Sequence, residues 1–404
     1  MKPRESFDVA VIGGGSAGLA AAVSAAREGA RTLLIERNGY LGGMGTAALV
    51  HTFCGLYLLR VEPGAVLANP GFALEMAERM IAATGNGPIR MGRVDVLPQH
   101  PVEFVRIADE QISAEPLIDL QLHTEVIAVS RDDDWEIQLA GRAGRRSVSA
   151  RSLVDASGDA TVAALLGVGA AMTEAPRLQR PAYVFGVHHE VPMNDDARLQ
   201  TAGLIVEGIR AGALTADALG LAFRSSGRPG EIFGTLDLTG GETVADYDPL
   251  SAACLTALEM HGRATAAKAV AWLAGKSDFW KHAYISHWPV RAGVRESRRW
   301  LGEHVLTGAE LLAGTRFDDE IALATWPMEF RETPRGPKLR FPEGDRPTGI
   351  PLRCLKPVGF DRLFVAGRCI STDHDAQASI RVMGTCFATG EAAGRAAAKI
   401  ICRP

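Results

Sequence analysis

The apolar positions near the amino terminus change period twice within thirty residues. Val9, Ala10, Val11 and Ile12 form an unbroken apolar run, the pattern of a strand buried on both faces of a parallel sheet. Leu19, Ala22, Val23 and Ala26 then recur at i, i+3, i+4 and i+7, which predicts a helix with one apolar face on that sheet. Residues 31–35 return to a strand. Helical signals follow over 71–83 and 101–113, and from Leu117 the period shortens again. Segments 117–122, 125–130, 135–139 and 147–154 read as strands, an antiparallel excursion that rejoins the parallel sheet at Leu153 and Val154. In the central third, 181–191 and 231–238 read as strands, and 199–211 and 250–274 as helices. Alternation through Val290, Ala292 and Val294 predicts a strand with Arg291 and Arg295 on one face. Residues 331–347, rich in proline, glycine and charge, read as a lid-like loop. Residues 363–366 make a last buried strand. A helix opening at Met383 then carries Gly390 and Gly394, a spacing suited to close packing on a strand or on the first helix.

The turn between the first strand and helix holds Gly13, Gly15 and Gly18 in G-x-G-x-x-G spacing. Gly13 makes the tight turn, Gly15 lets a pyrophosphate approach the backbone, and Gly18 lets the helix lie close to the strand. The helix start at Ser16 and Ala17 offers unpaired N–H groups and a positive dipole end to an anion. Glu36, ending the second strand, is placed to take both hydroxyls of an adenosine ribose and to repel a 2′-phosphate. The glycine spacing alone is a weak signal. Strand, helix and acid in register make it a dinucleotide site, and a glycine-rich turn of another kind leaves Glu36 unexplained.

Composition narrows the rest. A chain of 404 residues fits two closely joined domains, with 47% hydrophobic and 22% charged residues as in ordinary globular proteins. A net charge of −4 gives no footprint for nucleic acid or an anionic membrane. No apolar run is long enough to span a bilayer, and the polar start followed by a glycine-broken strand does not read as a signal peptide. Six cysteines without a C-x-x-C pair argue against a zinc site or a redox dithiol and suit a reducing compartment, so a cytoplasmic location is expected. No metal is expected either; His188 and His189 alternate faces of their strand.

Beyond Glu36, the segment from Arg37 to Thr46 contains Gly39, Gly42, Gly43 and Gly45 around Met44. Such a loop resembles that of glutathione-reductase-type flavoproteins, where it runs along the dinucleotide toward the flavin. Val126 stands where this fold usually pairs its backbone with the adenine. Ala156, Gly158 and Asp159 close the strand at Asp155 and fit a second cofactor-contact loop, with an Asx-type helix cap by Asp159 as the alternative. The segments Val365-Ala366-Gly367-Arg368-Cys369-Ile370-Ser371, Ser379-Ile380-Arg381-Val382-Met383-Gly384-Thr385-Cys386 and Gly390-Glu391-Ala392-Ala393-Gly394 resemble an FAD-dependent oxidoreductase family. Arg295-Glu296-Ser297-Arg298-Arg299 and Ile350-Pro351-Leu352-Arg353-Cys354-Leu355 look like its mid-chain motifs, while 171–280 matches poorly. The resemblance implies an α/β fold: a Rossmann-like, glutathione-reductase-type FAD-binding domain, with an inserted α+β substrate or cap domain. It also implies a place in the broad neighbourhood of fumarate-reductase-type and aromatic-hydroxylase-type enzymes. The expected division is 1–170 and 346–404 for the FAD domain and 171–345 for the cap. FAD is expected to be non-covalent, with Gly367, Arg368, Met383, Gly384 and Thr385 completing its site. The helix beginning at Met383 would aim its dipole and free N–H groups at the flavin's carbonyl edge.

Four residues are candidates for the chemistry. His374, flanked by Asp373 and Asp375, is expected near the isoalloxazine as a proton acceptor whose pKa those acids raise; packing or turn-capping is the alternative. His51, with Cys54, follows the glycine-rich loop and faces the other side of the flavin; either could tether FAD, an uncommon arrangement. His287 and Arg291 are the choices for anchoring substrate from the cap. Arg291 and Arg295 together would clamp a carboxylate or the flavin edge, or else join Glu296, Asp318 and Asp319 in an ion-pair network. The expected function is oxidation of a small organic substrate by hydride transfer to flavin N5, as a dehydrogenase or oxidase. A flavin-dependent monooxygenase is the alternative within that class, and a redox-sensing or structural flavoprotein the alternative outside it. An RNA-modifying flavoprotein would need a basic surface. With one dinucleotide fingerprint, electrons are exchanged with oxygen, an electron-transfer protein or transient NAD(P)H.

Overall fold

The computed structural model describes residues 5–60, 62, 64–239, 247–333 and 336–402. The first strand, Glu5–Ile12, is buried along Val9 to Ile12 because it has parallel neighbours on both edges, Thr32–Ile35 and Gly144–Asp155. Ile118–Gln121 adds in parallel beyond Thr32–Ile35, and Leu363–Val365 adds in parallel to the end of Gly144–Asp155. The antiparallel excursion is the pair Glu125–Arg131 and Trp135–Gly141. Gly144–Asp155 belongs to both parts, running antiparallel to Trp135–Gly141 and parallel to Glu5–Ile12. Segment 117–122 is therefore not part of the excursion, as the pattern had suggested. The helix Pro101–Ser113 carries the chain back so that it can enter the sheet in the parallel sense.

The helix Ser16–Arg27 is buried from Ser16 through Ala26, not along one stripe. Its outer side is covered by the last helix, Met383–Cys402. Glycine makes that approach possible: a Cβ on Gly390 would stand 2.2 Å from the Ala17 carbonyl oxygen, and one on Gly394 2.1 Å from that of Ala21. The two ends of the chain are thus joined helix to helix over the sheet.

A second core is built on a four-stranded antiparallel sheet in the order Ala222–Ser225, Glu231–Asp237, Ala182–His188, Tyr284–His287. Tyr183, Phe185 and Val187 alternate onto one face, packed with Phe223, Ile232 and Leu236 against the helices Asp195–Arg210 and Ala252–Lys276. The other face carries Ala182, Val184 and Phe233 and meets Leu49 of the glycine-rich loop region. From Trp300 onward the chain packs in the first core again.

Two expectations fail locally. The alternating run at 290–294 is not a strand: Tyr284–His287 stops before Pro289, and only an isolated bridge joins Gly293 to Ala182. The loop 331–347 contains a strand, Lys338–Arg340, paired with Met328–Phe330; its residues 334–335 lie outside the described residues.

Candidate active site

One cavity runs along the carboxyl ends of the parallel strands. Gly13, Gly15, Ser16, Ala17, Glu36, Arg37, Gly43, Met44, Val126, Ala156, Gly158, Asp159, Gly367, Arg368 and Met383 line it, all of them expected. Gly13 has φ +95°, and a Cβ there would stand 2.8 Å from the Ala156 carbonyl oxygen. At Gly15 a Cβ would meet nothing nearer than the Gly43 Cα at 3.9 Å, so this backbone presents an open face to the cavity. No side chain caps the helix that starts there, which leaves its first N–H groups for a ligand. Arg291 also lines the cavity, with its Nε buried and unpartnered. Burial, then the neighbouring Arg37 and Arg368 charges, lowers its pKa. An uncapped helix start beside an unpaired guanidinium fits a pyrophosphate, so the cavity fits a dinucleotide cofactor.

Glu36 is more occupied than expected. Its Oε2 accepts from the Gly14 N–H at 2.8 Å, and its Oε1 from Asn38 N–H at 2.8 Å and Asn38 Nδ2 at 2.6 Å. A carboxylate has about four acceptor positions, so one remains for a ribose hydroxyl, not two. Asp159 is not the helix cap. Asp155 takes that part, accepting from Val162 N–H at 3.1 Å and Ser157 N–H at 3.0 Å. Asp159 is left to accept from Ser297 Oγ at 2.6 Å and to pair with Arg368 at 2.5 Å. Burial opposes its charge, yet Arg368 holds its pKa below the ordinary carboxylate value.

Six of the residues expected on the cofactor support the cavity from behind. Gly18 lies against the Gly13 carbonyl, Gly42 N–H donates to the Gly14 carbonyl at 2.9 Å, and Thr46 Oγ1 donates to the Leu41 carbonyl at 2.7 Å. Gly45 packs on Phe104 and Met383, while Gly384 and Thr385 pack on Gly55. The Gly384 N–H donates to the Cys54 carbonyl at 2.9 Å, so one donor of that helix start is already used. Sequence reasoning missed Thr124, Ser157, Thr161 and Arg381 on this cavity, which follow or precede residues it did name.

A second cavity lies between the two cores and shares Met44, Arg368, Arg381 and Met383 with the first. His51 lines it, stacked on Phe233 with ring centroids 4.9 Å apart. Its Nδ1 lies 3.2 Å from the Leu49 carbonyl oxygen, which makes Nδ1 the protonated nitrogen; Nε2 is buried and unpartnered. Burial, helped by the Arg224 charge, pulls the imidazole down to about 4, so the ring is neutral. Cys54 lines the same cavity, its thiol pushed up to about 12 by burial. Neither His51 nor Cys54 lines the first cavity.

The remaining chemical candidates sit elsewhere. His374 lines neither cavity: it is clamped between Glu296 (Nδ1, 3.0 Å) and Glu332 (Nε2, 3.2 Å). Burial lowers its pKa, but the hydrogen bond to Glu296, the Glu296 charge and the hydrogen bond to Glu332 together outweigh that and the net shift is upward. Asp373 and Asp375, expected to raise it, are turned away. Asp373 caps the helix His374–Ile380 through the Ala376 N–H at 2.7 Å, and Asp375 faces Arg340 at 3.6 Å. His287 lines neither cavity and packs flat against Gly186, beside Ser286 Oγ at 3.0 Å. Arg291 and Arg295 part company, because without a strand they face different cavities. Arg295 pairs with Asp237 at 2.7 Å, Glu296 with Arg299 at 2.7 Å, and Asp319 with Arg353 at 3.1 Å. The expected clamp and the expected shared network are both absent among the described residues.

Comparison with known proteins places this architecture. A family profile described as FAD dependent oxidoreductase matches residues 8–402. An uncharacterized protein of Mycobacterium tuberculosis is 34% identical over 99 residues, which cover 22% of this chain and 18% of that one. This chain thus spans under a fifth of the length of the curated relatives it matches. Among solved structures, p-nitrophenol 4-monooxygenase from Pseudomonas putida is 12% identical, with 98% of this chain and 81% of that one covered at a TM-score of 0.49. A geranylgeranyl bacteriochlorophyll reductase-like protein from Thermoplasma acidophilum is 12% identical, with 98% and 78% covered at 0.48. Among the described residues, no helix is long and apolar enough to cross a membrane.

Proposed function

The chain belongs to the FAD-dependent oxidoreductase family, and on that premise we propose that it oxidises a small organic substrate by hydride transfer to flavin N5, as a dehydrogenase or oxidase. The observation that carries this reading is the second cavity, which adjoins the first through Met44, Arg368, Arg381 and Met383. When bound, FAD supplies the two-electron acceptor. The helix start at Ser16, with Arg37 and Arg291, would hold the pyrophosphate; Glu36 would take a ribose hydroxyl, and Val126 would lie at the adenine end. The cofactor would be held without a covalent bond, as neither His51 nor Cys54 lines the first cavity.

His51 is the proton acceptor. Its donor nitrogen is committed to the Leu49 carbonyl, so Nε2, buried and unpartnered, is the ring's basic atom on a residue that lines the second cavity. A substrate hydroxyl or amine gives its proton to Nε2 as the hydride leaves the adjoining carbon, so both electrons and the proton are accounted for. Phe233 fixes the ring by stacking, and Val94, Val96 and Val184 add apolar surface to the same cavity. Electrons are then exchanged with oxygen, an electron-transfer protein or transient NAD(P)H. The test is anaerobic screening of the FAD-loaded protein for compounds that bleach the visible flavin band. Bleaching by a small organic compound is the expected result; a flavin that no such compound reduces would overturn the reading.

A further inference from the structure

The second cavity carries more positive charge than its carboxylates neutralise. Five guanidiniums line it: Arg224, Arg295, Arg331, Arg368 and Arg381. Asp237 takes Arg295 at 2.7 Å and Arg331 at 2.5 Å, Glu329 takes Arg331 at 2.6 Å, and Asp159 takes Arg368. Three carboxylates against five guanidiniums leave two positive charges over among the described residues. The hydrogen bonds say which two. The Arg224 guanidinium makes no hydrogen bond or ion pair to any described residue, and Glu329 acts on it only through its charge. Arg381 donates only from Nη2, to the Glu329 carbonyl at 3.0 Å, and its Nη1 is buried and unpartnered.

Guanidinium does not escape this by losing a proton, so Arg381, with its Nη1 buried, and the half-buried Arg224 keep charges that an anion would compensate. Burial does pull on both groups, lowering the pKa of Arg224 and bringing Arg381 to about 10. Their placement is built in by neighbouring residues. Phe223 is committed to the cap core, so alternation turns Arg224 to the opposite face, opposite Phe233 in the ladder. Phe233 carries His51 on its ring, which brings the free guanidinium and the free imidazole nitrogen to one end of the cavity. Val94, Val96 and Leu339 give the wall an apolar part.

We propose that this cavity selects a substrate with an apolar body and a carboxylate, the carboxylate bound by Arg224 and Arg381. The assignment rests on the oxidoreductase reading of the same site and names its substrate class. A planar carboxylate matches the guanidinium fork at two points and replaces the water that Arg381 has lost and that half-buried Arg224 has partly lost.

The test is equilibrium titration of the FAD-loaded protein with propionate, hexanoate and benzoate, following the visible flavin spectrum. The corresponding amides and inorganic phosphate are titrated in parallel. At least one acid perturbs the spectrum saturably, its amide binds at least about tenfold more weakly, and phosphate has no effect. Arg224→Met weakens the acid by at least about tenfold, Arg224→Lys recovers part of the loss, and both variants keep their FAD. Silence from all three acids overturns the assignment. So does equal binding of acid and amide, equal binding of phosphate, or unchanged affinity in Arg224→Met. Flavin bleaching by neutral compounds alone would overturn the carboxylate and leave the oxidoreductase reading standing. Carboxylate binding to a flavin that no compound reduces would do the reverse.

Discussion

The two cavities are made of different material. The first is largely backbone: glycines at strand ends, a helix start without a cap, and N–H groups facing inward. The second is made of side chains brought from Thr52, Arg224, Glu329 and Arg381, segments far apart in the chain. A backbone site needs small residues at short fixed spacing, so it leaves a local signature. A side-chain site needs only that separate elements present the right face to one another. On the proposed function, cofactor binding and substrate choice sit on opposite sides of that difference, and substitutions should separate them.

The largest effect is expected where backbone meets backbone. Gly390→Val places side-chain atoms on the Ala17 carbonyl and should cost about 3 kcal/mol or more, seen as a lowered denaturation midpoint together with loss of FAD. His51→Gln belongs to the other cavity. It should lower kcat by about a hundredfold and leave the FAD-to-protein ratio unchanged. A ratio that fell with activity would blur the comparison. Gly15→Ala sharpens it, because the nearest atom to the new Cβ is 3.9 Å away and the cofactor-free protein has room for it. Its FAD affinity should fall about tenfold in a fluorescence titration, with the stability of the cofactor-free protein unchanged.

The smallest effect concerns His374, which belongs to neither cavity. Its folded pKa is raised, so its ion pair with Glu296 contributes fully below about pH 6.5 and is lost as pH rises through the folded value. The Glu296 pKa, against the pull of burial, is held low by hydrogen bonding to His374; that contribution is lost as pH falls below about 4.5. The melting temperature of the wild type should therefore drop, relative to His374→Gln, as pH is raised from slightly acid to alkaline. A parallel pH profile in the two proteins would remove His374 from the account, and kcat should change little in either case.

Most of the first cavity was legible because each of its parts is local. Gly13, Gly15 and Gly18 stand between a strand and a helix, and Glu36 ends the next strand. The errors there are equally local: Glu36 spends two oxygens on Gly14 and Asn38, and Asp155 does the capping that Asp159 seemed placed to do. The second cavity was nearly invisible, although the alternation was present. Phe223 and Arg224, and likewise Met328, Glu329, Phe330 and Arg331, alternate apolar with charged in the usual way of a half-buried strand. A polar face written that way normally meets water. Here it meets the other core, and nothing along the chain says so. His374 was misjudged for the related reason that its partners, Glu296 and Glu332, are remote in sequence while the acids beside it point away.

By itself the sequence determined the α/β class, the parallel sheet with its antiparallel excursion, the FAD site, and the return of the last helix to the first. Those depend on periodicity and on glycine, whose effects act within a few residues. The tertiary structure alone decided that Arg291 faces the cofactor cavity and Arg295 does not. It alone put His51 in the second cavity and left His374 out, and it left Arg224 and Arg381 without an ion pair among the described residues. Buried charge balance is a property of which faces are pressed together, and that is settled only when the two cores close on each other.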